Sequence, residues 1–475
     1  MNPLNALTTH RVFRIVLFLG LFVMTARNVT DPDIWWHLKT GQYISEHKSV
    51  PHTDPFSCTR AGQPWVAHEW LTELFLYQTQ RCAGFGGLIL IFSAVLVAAF
   101  LLLYLRCGPA TYIAGIATLC GAWATAPVWG IRPQVLSFLL TSLWLLILEL
   151  SDRTPKVLWW TLPLTLLWVN LHAGFAQGLV LSALFVGGTV IERFLGHSAP
   201  NAPWRMSASI LFLDLLLVPL NPNGLRLYSY PVETLRSAAM QNYIAEWASP
   251  NFHRAEYWPF LLVVLATFAT LSWSRVPVRP RDAILLLVSL YAALASIRMM
   301  PLFVLIAVPL ISKRLGSWPQ RSLHRHPRFP RVLFNTAIVL AMAVFAVIRV
   351  AQVVQRQPAA ESKQFPVAAV AFLQAHPPSD PIFNHYDWGG YLIWKLAPST
   401  PVFIDGRADL YGPDLLHDFG DAYQLKGPWR QILRRWRIRT AVLPQDSALA
   451  VGLRAAPGWI VSYQDSQSIV LTAPP

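Results

Sequence analysis

The stretch TDPDIWWH, residues 30–37, decides how the chain is interpreted, because it places two carboxylates, Asp31 and Asp33, just after the first hydrophobic segment. Two tryptophans follow, and aromatic rings of this kind favour the membrane–water interface. A carboxylate at a membrane surface can accept a proton from a bound substrate. The stretch therefore predicts a functional loop beside a membrane span.

The composition of the chain is that of a membrane protein. Of its 475 residues, 54% are hydrophobic and only 13% are charged, and the mean hydropathy is +0.41. Soluble domains carry about twice that share of charged residues, so a soluble fold is excluded for most of the chain. A helix needs about 20 apolar residues to cross the hydrocarbon layer, and we expect an α-helical multispanning membrane protein with about 11 transmembrane helices. The segments are 12–27, 86–105, 110–128, 133–150, 156–172, 174–193, 206–221, 257–274, 282–298, 300–312 and 332–350, of which 282–298 and 300–312 could merge.

Lysine and arginine residues indicate the orientation, because short cytoplasmic loops retain them. With the amino terminus inside, the short outer loops hold only Arg132, Arg226, Arg236, Arg254 and Arg298. The net charge of +14 then anchors the inner face to anionic lipid, and we expect no nucleic-acid partner. The first segment lacks a following small-residue cleavage site and is expected to be a retained signal anchor. The inner-face residues are Arg11, Arg14, Arg106, Arg153, Lys156, Arg193, Arg205, Arg275, Arg279, Arg281, Lys313, Arg314, Arg321, Arg325, Arg328 and Arg331, the last four in a surface loop at 317–331.

An odd number of spans places the carboxyl-terminal tail on the outer face. We divide the chain into a membrane domain, 1–350, with outer loops at 28–85 and 221–256, and a soluble tail, 351–475. Short apolar runs separated by proline, glycine and aspartate are typical of a small α/β domain, which we expect in the tail. The expected helices are 366–376, 390–396 and 428–436, and the expected strands are 381–385, 401–404, 440–443, 459–464 and 468–472, the last two as a hairpin.

The two aspartates also have a purely structural interpretation. Asp31 followed by Pro32 makes a good helix start, with aspartate as the N-cap, proline in the first turn and a second acid beside it. A helix is then expected at 34–47, lying along the interface. Capping does not exclude function, since a capping carboxylate can still accept a proton or a metal ion.

The first outer loop contains possible metal ligands and cysteines. Cys58 and Cys82 share this loop and could pair in an oxidising compartment. The second histidine that an HExxH zinc motif needs is replaced by Thr72. The four histidines of the loop show no ligand spacing, so we expect a polar cavity lining and no structural metal site. These histidines are His37, His47, His52 and His68.

Several sequence blocks carry a resemblance to a known family. The chain resembles a group of bacterial membrane proteins related to the GT-C glycosyltransferases, and the resemblance extends over nearly its full length. Its layout is similar to that of protein O-mannosyltransferases and aminoarabinose transferases. The blocks are residues 31–37, Gly41, 53–57, Gly62, Trp65, 68–71, 170–175, 221–224, 244–250, 387–391 and 403–412.

The resemblance implies a transferase in the bacterial inner membrane, with a cytoplasmic amino terminus and a periplasmic tail. Its donor would be a polyprenyl-phosphate-linked sugar held in the lipid bilayer, and its acceptor a periplasmic glycan, lipid or protein. Asp31 is the first candidate for the general base and Asp33 the second. Either aspartate could hold a divalent ion, Mg²⁺ or Mn²⁺, if one is used.

Positive charge is needed where the carrier phosphate leaves. Arg298 is the first candidate, followed by Arg132 and Arg226, although an interfacial arginine can instead extend its side chain to lipid headgroups. Other substrate-binding candidates each have an alternative: a histidine can be hydrogen-bonded to the backbone, and a tryptophan can anchor the interface. These candidates are His68, Glu69, His172, Glu246 and Trp247.

A second class of function keeps the same fold, namely a transporter or flippase for lipid-linked saccharides, or an assembly partner. Transporters place polar sites near the membrane midplane, whereas the polar residues of this chain gather at one face. Asp214 lies within an apolar segment and is expected to face the bundle interior with a partner. In the tail, Asp405, Arg407 and Asp409 form either a loop facing the cavity or, as we favour slightly, a salt-bridged turn.

Overall fold

A computed structural model describes residues 7–196, 203–317 and 331–474. All regular elements described between residues 7 and 364 are helices. Its helices are α1 (Thr9–Thr25), α2 (Ile34–His47), α3 (Trp70–Arg106), α4 (Thr111–Thr125), α5 (Gln134–Ser151), α6 (Thr161–Leu171), α7 (Phe175–Phe194), α8 (Trp204–Leu217), α9 (Arg226–Arg236), α10 (Ala238–Tyr243), α11 (Trp258–Trp273), α12 (Pro280–Ala295), α13 (Met300–Gly316) and α14 (Arg331–Gln364).

Each predicted hydrophobic segment coincides with all or part of one of these helices. Segments 282–298 and 300–312 do not merge, because α12 ends at Ala295 and a 3-10 turn carries Arg298 before α13 begins. By length and composition, seven helical segments of the described chain can cross a membrane. The helices in the other four predicted segments, α1, α6, α8 and α12, are shorter. The seven are Trp70–Arg106, Thr111–Val128, Gln134–Ser151, Phe175–Phe194, Ala255–Trp273, Ile297–Gly316 and Val332–Gln364.

Basic residues pair with acids at the end of the helices that was predicted to be cytoplasmic. Arg106 binds Glu149 at 2.8 Å, and Arg281 binds Asp152 at 2.7 Å. These pairs hold α3 against α5 and the start of α12 against the end of α5. Residues 318–330 of the predicted basic loop lie outside the described residues.

The long helix α3 consists of two parts. Gly84 has φ 60° and ψ −164°, a conformation that an L side chain rarely adopts, and it bends the helix there. The part after Gly84 is the predicted second span. The part before it belongs to the first outer loop and packs along α2, which occupies the predicted residues 34–47.

Gly41 allows α2 and α3 to approach closely. A Cβ atom at this position would overlap the carbonyl oxygen of Glu73 and lie 2.8 Å from the Cβ of Tyr77. We expect Gly41→Ala to lower the free energy of unfolding by about 1–3 kcal/mol, because the helices must move apart. Thermal unfolding in detergent measures this. Gly20→Ala is the control, because open space surrounds Gly20 in α1; equal melting temperatures for the two variants would contradict the expectation.

The tail is an α/β domain with one four-stranded sheet of order β1-β2-β4-β3. Strand β1 is parallel to β2, β4 is antiparallel to β2, and β3 and β4 form the predicted hairpin. The elements are α15 (Val367–Ala375), β1 (Ile382–Asn384), α16 (Gly389–Leu396), α17 (Ala408–Tyr423), α18 (Trp429–Arg435), β2 (Thr440–Pro444), α19 (Ala448–Arg454), β3 (Ile460–Gln464) and β4 (Ser468–Thr472).

One expected strand of the tail does not form, and two helices of the tail were not predicted. The predicted strand 401–404 forms only isolated bridges, in which Val402 pairs with Ile382 and with Ser57. Helices α17 and α19 were missed; Gly412 and Pro413 interrupt the apolar pattern of α17. Helix α14 continues to Gln364, so the predicted boundary at 351 falls inside a helix whose second half is polar.

The tail and the membrane part share a hydrophobic core. The ring of Trp35 in α2 is fully buried. Its centre lies 4.8 Å from the ring centre of Tyr391 and 5.3 Å from that of Phe365. The side-chain amide of Gln357 exchanges two hydrogen bonds with the backbone of Val29, at 2.8 and 3.0 Å. The tail therefore sits directly on the loop that carries the two aspartates.

Cys58 and Cys82, whose pairing the sequence leaves open, are not joined by a disulfide, and all four cysteines are free. The backbone N–H of Cys58 donates to the carbonyl oxygen of Val402 at 2.9 Å, which holds Cys58 against the tail. Cys82 is exposed in the outer part of α3.

Candidate functional site

Asp31 lies in a group of charged residues drawn from three outer segments. One of its carboxylate oxygens pairs with Nε of Arg132 at 2.8 Å, and the other accepts the backbone N–H of Asp33 at 3.0 Å. The guanidinium of Arg132 also pairs with Glu246. Arg132 therefore joins the first outer loop, the α4–α5 turn and the loop before α11.

Backbone contacts bring Glu246 and Trp247 to the turn before α13. The hydroxyl of Ser296 donates to the carbonyl oxygen of Glu246 at 3.0 Å. Arg298, in that turn, lies 5.6 Å from the centre of the Trp247 ring and donates to the side chain of Gln134 at 2.8 Å. The Asp31 cluster thus consists of five of the residues predicted from sequence, namely Asp31, Arg132, Glu246, Trp247 and Arg298.

A cavity of about 270 Å³ adjoins Asp31. It is lined in part by Arg27, which the sequence predicts to end the first span; α1 ends at Thr25, so Arg27 lies in the loop that also carries Asp31. Its side chain donates to the carbonyl oxygen of Ala126 at 2.8 Å and lies 5.0 Å from the Trp129 ring centre. The lining residues are Thr25, Arg27, Asn28, Thr30, Asp31, Ile89, Phe92, Ser93, Leu96, Trp129, Gly130 and Ile131.

Burial and charge act in opposite directions on the acids of the Asp31 cluster. Burial raises the pKa of Asp31 above its ordinary value, and the guanidinium of Arg132 only partly opposes it. For Glu246 burial is outweighed by Arg132 and Arg298, so its pKa is lowered. Asp31 is consequently the stronger base of the two carboxylates.

The Asp33 carboxylate has different contacts from that of Asp31. Its carboxylate accepts the indole N–H of Trp36 at 3.1 Å and lies against Gly406 of the tail, where a Cβ atom would overlap it. Helix α2 begins at Ile34 without a side-chain capping bond from Asp33. Asp31 is thus held by Arg132 and Asp33 by Trp36, so the two carboxylates have separate partners.

The partly buried position of Asp33 predicts a pH-dependent stability. Burial, with a smaller contribution from the charge of Asp31, raises the pKa of Asp33 to about 8. Between about pH 4 and about pH 8 the unfolded state then binds fewer protons, so the free energy of unfolding falls as pH rises. Asp33→Asn removes this dependence of the free energy of unfolding on pH. We expect its melting temperature, relative to the parent protein, to increase across that range and to level off above it.

Asp465→Asn is the control of opposite sign. Burial would raise the pKa of Asp465, but the N–H groups of Ser468 and Gln467 lower it. The stability lost in Asp465→Asn should therefore vanish as the pH falls through the folded pKa. A parallel pH trend for the two variants would exclude the assignment for Asp33.

A second buried group centres on Glu69, one residue before α3. One oxygen of Glu69 lies 3.2 Å from Nε2 of His68 and 3.2 Å from Nε2 of His172. Its other oxygen lies 3.5 Å from Nε2 of His37. The opposite ring nitrogen of His37 lies 3.1 Å from Glu73. We call His37, His68, Glu69, Glu73 and His172 the Glu69 cluster.

The tautomer of His172 follows from its contacts. Its Nδ1 accepts the backbone N–H of Gly174 at 2.8 Å, so the proton is on Nε2 and points to Glu69. Ser137 accepts the indole N–H of Trp168 at 2.8 Å and is 2.7 Å from the same Nδ1. His172 is thus the hydrogen-bonded histidine of the structural alternative, and it also orients Glu69.

The tail reaches the Glu69 cluster through Asp409. The hydroxyl of Tyr230 donates to Asp409 at 3.0 Å, and the Tyr230 ring centre is 4.4 Å from that of His68. Asp405 and Arg407 form the expected salt-bridged turn at 2.7 Å, but Arg407 also binds Asp54 of the first outer loop at 2.7 Å. The turn therefore fastens the tail to the loop.

Two other sequence candidates lie outside both clusters. Arg226 is exposed at the first residue of α9, and the structure does not bring it to the Asp31 cluster. Asp214 is buried in the bundle, and its expected partners are confirmed as the hydroxyls of Thr161 and Thr165, at 2.8 and 2.7 Å. Both threonine hydroxyls donate to the carboxylate, so Asp214 has a structural role within the bundle.

An apolar cavity of about 530 Å³ lies beside the start of α3 and the end of α6. Its polar end is Asn170, which accepts the indole N–H of Trp70 at 2.8 Å and donates to the carbonyl oxygen of Leu220 at 3.0 Å. Leu166, Leu167 and Leu220 present exposed apolar surface there. The cavity lining is Trp70, Leu71, Pro163, Leu166, Leu167, Asn170, Leu220, Asn221 and Pro222.

Comparison with known proteins identifies the architecture. No protein-family model matches the chain, and no curated protein matches it. The archaeal oligosaccharyltransferase AglB from Archaeoglobus fulgidus, solved with an inhibitory peptide and a dolichol-phosphate, superposes with a TM-score of 0.59 at 9% identity over 91% of this chain and 69% of that one.

Two further solved structures have the same arrangement. Arabinofuranosyltransferase AftD from Mycobacteria superposes with a TM-score of 0.53 at 14% identity, over 98% of this chain but only 40% of its own. ArnT from Cupriavidus metallidurans in the apo state superposes with a TM-score of 0.50 at 13% identity, over 97% of this chain and 99% of that one. At such low identities the likeness concerns the fold, and this chain has the fold of the GT-C glycosyltransferases.

Proposed function

We propose that this protein is a membrane glycosyltransferase that moves a sugar from a polyprenyl-phosphate carrier to an acceptor at the outer face. The observation that carries the proposal is Asp31, a carboxylate with a raised pKa on a cavity at the outer ends of the helices, next to the guanidinium of Arg132. A structural neighbour with this fold, AglB, was solved with a dolichol-phosphate.

In the proposed reaction, Asp31 removes the proton from an acceptor hydroxyl as its oxygen attacks the anomeric carbon. The bond between that carbon and the carrier phosphate breaks, and the phosphate leaves with the electron pair. Arg27, Arg132 and Arg298 supply positive charge near this point and stabilise the departing phosphate. The acceptor proton ends on Asp31.

Two further features suit a lipid-linked sugar. The indole N–H of Trp247 is buried without a hydrogen-bond partner among the described residues, so it is free to donate to a sugar hydroxyl. The apolar cavity of about 530 Å³ beside α6 is suited to part of a prenyl chain. A donor bound in this way keeps its chain in the hydrocarbon layer and its sugar at headgroup depth.

The test is transfer of labelled sugar by the purified protein in proteoliposomes, with a panel of polyprenyl-phosphate hexoses and pentoses and an envelope extract as acceptor. We expect transfer with one donor, a strong decrease in Arg132→Ala, and no change in Arg226→Ala, which lies outside the cluster. Movement of the labelled lipid across the bilayer without transfer would favour the flippase alternative and overturn the proposal.

A further inference from the structure

Three side chains of the Glu69 cluster bring possible metal-ligand atoms close together. His37 in α2, Glu69 just before α3 and Glu73 in the first turn of α3 each offer a nitrogen or oxygen atom, and these atoms lie within 4.8 Å of one another. The three residues are 3%, 8% and 1% exposed. Spacing along the chain did not reveal this group, because His37 and the glutamates belong to different helices that meet at Gly41.

One atom of the group is unsatisfied. The Oε2 atom of Glu73 is buried and has no hydrogen-bond partner among the described residues, although the other oxygen of the same carboxylate contacts His37. A buried carboxylate oxygen without a partner is costly. The residue that carries this unpartnered atom is therefore one of the three candidate ligands.

The surroundings of Glu69 orient it toward this point. His68 and His172 both contact its Oε1 atom, which leaves Oε2 on the side of His37. Contacts of this kind orient a carboxylate, as the outer partners of a metal ligand do.

We propose that His37, Glu69 and Glu73 bind one divalent transition-metal ion of the Zn²⁺ or Mn²⁺ class. One imidazole nitrogen and two carboxylate oxygens suit these ions, at about 2.0–2.2 Å from each ligand. The ion would offset the charge of two buried carboxylates and give Glu73 Oε2 a partner. It would also link α2 to α3, below the loop that carries Asp31.

The test uses the full-length protein without an affinity tag. The protein is stripped with a chelator and dialysed against Zn²⁺ or Mn²⁺, and the bound metal is measured by mass spectrometry. We expect one ion per chain in the parent protein and a loss of affinity on the order of 100-fold in Glu73→Gln. Glu149→Gln is the matched control, because Glu149 pairs with Arg106 at the opposite end of the helices.

Two further readouts are independent of the stability of a variant. Zn²⁺ should raise the melting temperature of the parent protein but not that of Glu73→Gln. Pulsed electron paramagnetic resonance of the Mn²⁺-loaded parent protein should detect a directly bound imidazole nitrogen. The proposal is overturned by substoichiometric metal in the parent protein, by equal binding in Glu73→Gln, or by the absence of nitrogen coupling. None of these readouts depends on sugar transfer.

Discussion

Asp31→Asn should abolish most sugar transfer, with a decrease of about 10²- to 10⁴-fold, because an amide cannot accept the acceptor proton. The substitution is isosteric, and the asparagine oxygen can still accept the backbone N–H of Asp33. We expect kcat to fall while donor binding is retained. Single-turnover transfer in proteoliposomes, together with a binding assay for the lipid donor, measures the two effects separately.

Asp33→Asn is the matched variant for this experiment. It carries the same chemical change two residues away, but its side chain faces Trp36 and Gly406 and does not line the cavity. We expect it to keep most of the transfer activity. If the two variants exchanged these results, the base would be Asp33, and equal activity in both would remove the aspartates from the mechanism.

Arg407→Met should lower the free energy of unfolding by about 3–5 kcal/mol, because it leaves the carboxylates of Asp54 and Asp405 buried without their cation. Arg407 is fully buried, pairs with both aspartates at 2.7 Å, and lies 4.7 Å from the centre of the Trp65 ring. Denaturant unfolding in detergent measures the loss. Limited proteolysis should also show the tail released from the first outer loop.

Arg439→Met is the comparison, since Arg439 is 44% exposed and its contact with Asp380 is 3.6 Å. An exposed pair of this kind contributes about 0–1 kcal/mol. A triple variant that replaces Arg407, Asp54 and Asp405 by apolar residues should recover part of the loss, because no unpaired charge remains. If Arg407→Met unfolded like Arg439→Met, the buried pairs would not be what fastens the tail.

Much of the candidate site could be predicted from local sequence. The position of Asp31 after an apolar segment indicated a carboxylate at the membrane surface, and the outer-face arginines were few enough to name. The structure brings Arg132, Glu246 and Arg298 to Asp31 or its partners. The structure does not bring Arg226 to the Asp31 cluster. Its place in the sequence, outside a span, does not indicate where α9 directs its side chain.

Other parts of the site were missed for identifiable reasons. Arg27 ends an apolar run and is therefore predicted within the first span, although an arginine at that place commonly extends its side chain to the interface. Glu69 and Glu73 are four residues apart and share a helix face, which is a readable signal. Their third partner, His37, could not be found in this way because it reaches them only where Gly41 lets α2 approach α3.

Local properties of the chain determined its class. The lengths of the apolar runs act along a few neighbouring turns, so they indicate membrane helices and the helix at 34–47 from sequence alone. The tertiary structure decided which charges meet. Asp54 and Arg407 are 353 residues apart, and Asp31 and Arg132 come from different loops. Such pairs depend on how helices and tail pack together, because burial makes a charge costly until packing supplies its partner.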